Sequence, residues 1–173
     1  MELKIFLTNL SKYNEGHLVG KWVDVLNHKD WKDELAEIGV EDGTEYEECF
    51  ITDIDSDLDG IGEVIGEYTS LSEVDEIAEG LEAIADYEED AFRAAIEVWD
   101  FKQALRIIAD GDYQFYPEVT SEESLGEYVV AEGIFGIEIP DSLRNYIDYE
   151  AIGRDWSIEA DGGFASNGFI QAY

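Results

Sequence analysis

Asp55-Ser56-Asp57-Leu58-Asp59-Gly60 sets carboxylates at alternate positions before a turn glycine. In the first half of a calcium loop, this pattern wraps a hard cation in oxygen ligands. The second half departs from the pattern. Such a loop needs a bidentate Glu at its twelfth position, which here is Gly66, with Glu67 one residue late; its eighth position is Gly62 in place of an aliphatic side chain. Gly60, Gly62 and Gly66 also echo a dinucleotide-binding loop, but the third glycine is displaced and the neighbouring carboxylates would repel a pyrophosphate. Among 43 Asp and Glu, pairs at glycosidase-like separation arise by chance and carry no information without a pocket. His17 and His28 are isolated and lack metal-ligand spacing, and there is neither a Gly-x-Ser-x-Gly elbow nor a phosphate-cradling loop. No catalytic residue, metal ligand or cofactor is assigned, and the expectation is a protein that is not an enzyme.

The carboxylates themselves are then the chemistry to explain. Against 10 Lys and Arg they give a formal net charge of −33 over 173 residues. A protein that binds nucleic acid directly, or anionic lipid through a polybasic patch, needs clustered bases, so both classes are excluded. Disorder is not expected either, because 45% of residues are hydrophobic and 13% aromatic. A single cysteine, Cys49, excludes an internal disulfide and reads as a small buried hydrophobe. The N-terminal residues are too polar for a signal peptide and no apolar run is long enough for a membrane span. The expected location is the cytoplasm.

The charge is segregated along the chain. Residues 1–32 are nearly neutral, with five bases and four acids, whereas residues 33–92 hold 23 acids and no base. Residues 107–143 add nine acids, again without a base. Glu73, Glu76, Glu79, Glu82 and Asp86 recur at helical spacing as a stripe, and like charges so placed destabilise a helix by about 0.2–0.5 kcal/mol per pair. Three residues of helix rise about 4.5 Å, close to the roughly 3.4 Å between phosphates along one DNA strand. Carboxylates on a rigid scaffold can therefore approximate a phosphate ladder. Acidity for solubility or salt tolerance would account for the net charge, but not for a long block without bases.

The elements that must carry these acids can be read coarsely. Segments 3–7, 19–25 and 48–54 are rich in β-branched and aromatic residues and read as three strands, with a short helix over 31–38. Ser72 followed by Asp75 resembles a helix start ahead of Val74, Ile77, Ala78 and Leu81. Helical periodicity continues over about 89–109 with a break near Asp100, and again over 121–132, while Pro140 could open a further helix. Residues 156–159 and 169–173 look like the strands of a closing hairpin. The fold class expected is α+β in three small domains: 1–68 as an N-terminal sheet with a short helix, 69–112 as a helical middle, and 113–173 as an α+β unit with the closing hairpin. Trp22, Trp31, Trp99 and Trp156 read as core or interface anchors.

Two segments carry a resemblance. The run Leu3 to Trp22, with Asn9-Leu10-Ser11-Lys12-Tyr13-Asn14-Glu15-Gly16 and then Gly20-Lys21-Trp22, resembles the opening of the ArdA antirestriction proteins. The run Ile139 to Asp155, with Asn145-Tyr146-Ile147-Asp148-Tyr149-Glu150-Ala151 and Gly153-Arg154-Asp155, is similar to a C-terminal motif of the same family. The resemblance implies a protein of plasmids, transposons or phages that shields incoming DNA from type I restriction-modification enzymes. It further implies an elongated three-domain chain, a homodimer formed through the C-terminal domain, and an acidic surface like bent B-form DNA that occupies the groove of the modification core.

The acids expected to form that surface are Glu41, Asp42, Glu45, Glu47, Asp55, Asp57, Asp59, Glu63, Glu67, Glu73, Glu76, Glu79, Glu82, Asp86, Glu88, Glu89, Glu118, Glu122, Glu123 and Glu127. The motif residues Asn14, Gly16, Trp22, Asn145, Tyr146, Asp148, Tyr149, Arg154 and Asp155 read instead as scaffold or dimer contacts, and Arg144 and Arg154 as partners in ion pairs. Two other classes share the composition: an acidic decoy or immunity-type inhibitor of another basic protein, and a calcium-binding acidic protein built on the Asp55–Asp59 loop.

Overall fold

Strand β1 (Leu3–Asn9) alternates so that Leu3, Ile5 and Leu7 are fully buried on one face and Phe6 stands on the other. In the computed structural model, which describes residues 1–28, 30–133 and 139–173, it is the centre of a three-stranded antiparallel sheet. Lys29 and Glu138, part of the charge pattern above, lie outside the described residues. The chain divides into two compact units, 1–85 and 86–173. Helices and two antiparallel sheets together make the α+β class expected.

In the first unit β1 lies between β2 (Gly20–Asp24) and β3 (Cys49–Ser56). The register shifts beside Phe6, which faces Asp53 while Leu7 faces Ile51, so that Thr52 is the extra residue of a bulge. A short helix absent from the sequence expectations, α1 (Leu10–Asn14), follows β1 directly. Helix α2 (Trp31–Glu37) starts at Asp30, whose carboxylate accepts from the Lys32 amide, and Lys21 holds Glu34 and Glu37 at 2.6 and 2.5 Å. After the short α3 (Ile61–Val64), helix α4 (Leu71–Glu82) buries Val74, Ile77, Ala78 and Leu81. Its cap is Ser70, two residues earlier than expected. The Ser70 hydroxyl accepts from the Glu73 amide and the Glu73 carboxylate accepts from the Ser70 amide, a reciprocal capping box. Asp75 is committed elsewhere, accepting from the Trp31 indole at 2.7 Å.

In the second unit α5 (Glu89–Val98) and α6 (Phe101–Asp110) meet at Asp100, which caps α6 by accepting from the Gln103 amide, so the expected break is present. Strand β4 (Tyr113–Pro117) leads to α7 (Glu122–Ala131), the short α8 (Asp141–Arg144), α9 (Tyr149–Glu159) and the hairpin β5 (Asp161–Ala165) and β6 (Gly168–Ala172). The sheet order is β4-β6-β5. The closing hairpin is present, but its first strand is 161–165. Residues 156–159, expected as that strand, are the last turn of α9, which Asp148 starts by accepting from the Ala151 amide at 3.0 Å. Tyr116, Val119, Leu125, Val129 and Phe169 form a buried core to which Trp156 and Ile152 of α9 add. Helices α7 and α9 cross at Gly126 and Gly153. A Cβ on Gly126 would fall on the Tyr149 carbonyl, and one on Gly153 on the Glu122 carbonyl, so only glycine permits this approach.

Candidate partner-binding surface

No described Asp or Glu is buried. The apolar positions of each element fill the cores, and the acids interleaved with them are turned to solvent. Of those singled out, Glu41, Asp42, Glu45 and Glu47 lie between α2 and β3, and Asp55 is the last residue but one of that strand, with Asp57 and Asp59 beyond it. Glu63 is on α3, Glu67 precedes α4, and Glu73, Glu76, Glu79 and Glu82 occupy the face of α4 away from its buried residues. In the second unit, Asp86 and Glu88 lie in a 3₁₀ turn and Glu89 opens α5. Glu118 follows β4, and Glu122, Glu123 and Glu127 are on α7. Only Glu88, Glu89 and Glu122 among them are half-buried; the others are exposed.

They are not equivalent. Several hold local structure as well as charge: Glu47 accepts from the Gly43 amide at 3.1 Å, Asp57 from the Glu2 amide at 2.6 Å, Glu73 caps α4, Glu88 accepts from the Tyr113 hydroxyl at 3.3 Å, and Glu89 pairs with Arg93 at 2.8 Å. Burial, and then the Glu88 carboxylate, push the Tyr113 phenol up to about 12. Glu118 has φ of 66°, the one non-glycine residue in the left-handed region among those described, and its amide donates to the Asn167 carbonyl at 3.0 Å.

The Asp55–Asp59 turn is tied to the N-terminus: besides Asp57, Ser56 donates to the Glu2 carbonyl at 2.6 Å, and Leu58 is buried. Among the described residues, no three His, Cys, Asp or Glu side chains gather as a group able to hold a metal ion. Burial raises the Cys49 thiol above its ordinary value, which disfavours the thiolate a nucleophile would need.

The motif residues fall at joints of the fold. Asn14 ends α1, and Gly16, at φ of 87°, turns the chain out of it, with its amide donating to the Tyr13 carbonyl. Asn9, which opens the Asn9–Gly16 motif and is not among the residues expected as scaffold contacts, is fully buried. Its Oδ1 accepts from the Lys12 amide at 3.0 Å, and its Nδ2 donates to the carbonyls of Ile38 and Gly39 at 3.2 and 3.1 Å. One amide therefore joins β1, α1 and the end of α2. The signal that could have found it is an Asn closing an apolar strand, a position where a buried amide requires several partners. Lys12 pairs with Glu15 at 2.9 Å and lies 4.0 Å from the Tyr46 ring centre. The hydrogen bond from Lys12 holds the Glu15 carboxyl below its ordinary value. Trp22 is exposed on β2 and meets Phe6 edge to face at 5.3 Å.

In the C-terminal motif, Asn145 and Tyr146 are exposed beyond α8, Asp148 caps α9, and Tyr149 is its first residue, lending its carbonyl to the Gly126 crossing. The expected arginine pairs are local and exposed: Arg144 with Asp141 at 3.2 Å and Arg154 with Asp155 at 3.8 Å. Pairs of this kind contribute little to stability.

Among the described residues, no helix is long and apolar enough to cross a membrane. No curated protein matches the chain. The family model described as "Antirestriction protein (ArdA)" matches residues 5–171, nearly the whole sequence, including the C-terminal motif segment, all but the first two residues of the N-terminal one and the acidic block between them. The protein belongs to the ArdA family of antirestriction proteins.

Proposed function

We propose that the protein is a DNA mimic that competitively occupies the DNA-binding groove of the modification core of type I restriction-modification enzymes. It acts in the cytoplasm of a bacterial host and protects incoming mobile DNA from restriction. On this reading it works as a homodimer joined through its C-terminal segment, with three small domains per chain, and catalyses nothing. The observation that carries the reading is the base-free stretch 33–92 with its carboxylates turned to solvent. Helix α4 states the case most sharply, with Glu76, Glu79 and Glu82 exposed opposite a buried apolar face and no lysine within the helix.

Carboxylates in such a surface take the place of phosphates against Lys and Arg of the enzyme. Because phosphate contacts carry no base sequence, the same mimic can inhibit enzymes that recognise different sites. The test is displacement of labelled duplex DNA from a type I methyltransferase core across a salt series. Displacement near stoichiometric protein, weakening steeply with salt while an unrelated acidic protein fails, is the expected result. Absence of displacement at large excess in low salt overturns it and leaves another basic partner as the target. Single carboxylate-to-amide changes should move the midpoint little, whereas six or more together should weaken displacement; one change abolishing inhibition would refute a distributed surface.

A further inference from the structure

The face of the first sheet opposite Leu3, Ile5 and Leu7 is not simply acidic. Phe6, Tyr13, Trp22 and Phe50 surround an open cleft of about 810 Å³. Its ionisable lining groups are Asp53, Glu67 and the Tyr13 phenol, with no base among them. Lys4, on the same face of β1, has its ammonium 3.6 Å from the Glu2 carboxylate.

Two features of the chain build this cleft. A Cβ on Gly20 would come 2.6 Å from the Phe6 ring, so the Gly20-Lys21-Trp22 spacing both admits Phe6 and sets Trp22 beside it. The bulge at Thr52 brings Asp53 opposite Phe6. Tyr13 meets Phe50 edge to face at 5.2 Å and closes another side. Tyr13 and Trp22 remain 51% and 44% exposed, so their rings are available to a ligand.

Aromatic rings beside carboxylates select a cation with an apolar or planar body. A guanidinium stacks on rings and donates to carboxylates at once, which an ammonium does less well. Exposed aromatics on an open sheet also serve as platforms for unpaired bases, but such platforms are accompanied by positive charge, and this one carries two carboxylates. The volume exceeds one side chain and suits a short extended segment.

We infer that the cleft binds an arginine-bearing segment of the partner protein. This deepens the DNA-mimic reading and rests on it for the partner, a basic DNA enzyme.

The experiment has two arms on the full chain. In the first, NMR follows the indole signals while a blocked Arg-Gly-Arg-Gly-Arg peptide is added, with the citrulline counterpart and a single-stranded oligonucleotide as comparisons. Shifts confined to the Trp22 indole, at least about tenfold weaker with citrulline or in the Asp53→Asn, Glu67→Gln variant, are expected. Equal binding of the citrulline peptide, binding of the oligonucleotide there, or no response of Trp22 overturns the inference. In the second arm, Trp22→Ala is compared with wild type in displacing DNA from the methyltransferase core, with unchanged Trp31, Trp99 and Trp156 signals verifying its fold. The midpoint should rise about tenfold at both low and high salt. An unchanged midpoint refutes the cleft and leaves the mimic standing. Failure of wild type to displace DNA refutes the mimic, and the peptide arm then decides the cleft by itself.

Discussion

Glu118 holds a backbone conformation that costs a residue with a Cβ about 1–2 kcal/mol, and glycine would occupy it freely. Its side chain is exposed, so packing does not explain the choice. Replacing Glu118 with Gly should stabilise the fold by up to about 1 kcal/mol after the entropy glycine costs in the unfolded chain, read as a higher denaturant midpoint. A fall in stability would show that the carboxylate has a structural role. Tyr113 and Tyr116 offer a second residue-level test, since burial pushes both phenols up to about 12 from an ordinary value of 10.0. Below pH 10 both folded and unfolded forms are protonated and the full stability is present. Above it the unfolded chain ionises first, so stability falls as pH rises toward 12. Alkaline melting curves should show this loss, reduced in Tyr113→Phe.

The crossing of α7 and α9 is the sharpest constraint at the level of elements. Gly126→Ala or Gly153→Ala should force the helices apart and cost about 3 kcal/mol or more, read as a loss of cooperative unfolding temperature. Gly153 belongs to the C-terminal motif, and the crossing gives it a reason that spacing alone did not. The three strands of the first sheet were legible because β-branched and aromatic runs are bounded by turns, and the α5–α6 break because Asp100 is a good cap. The hairpin was misplaced because Trp156-Ser157-Ile158-Glu159 alternates like a strand, while the helix that claims it starts at Asp148, eight residues earlier. Strand β4 was hidden by Pro117 at its end and by pairing with β6, which is remote in sequence. The aromatic cleft was illegible for a related reason. Leu3-Lys4-Ile5-Phe6-Leu7 alternates, and Lys4 marks the outward face on which Phe6 also lies, but nothing in this run shows that Tyr13, Trp22 and Phe50 gather around Phe6 there.

Across the whole molecule, a net charge of −33 opposes folding and, in the proposed function, favours binding. Mutual repulsion of the carboxylates opposes the compact state, and salt screens it over roughly 8 Å at physiological ionic strength. Raising salt should therefore raise the melting temperature while weakening displacement of DNA from the methyltransferase core. Parallel loss of both would mean that the acids are paired with bases in a way the exposed carboxylates do not support. The absence of described acids from the interior has a further consequence for heredity. The apolar residues that fill the cores and most of the surface acids are separate sets, although Asp30, Glu73, Asp100 and Asp148 also take part in helix caps. Acids that neither cap a helix nor hold a turn can drift among exposed positions, Asp for Glu or one site for another, without passing through an unfolded ancestor. Lineages of such a protein can diverge widely in their middle segments while retaining the joints that set the scaffold.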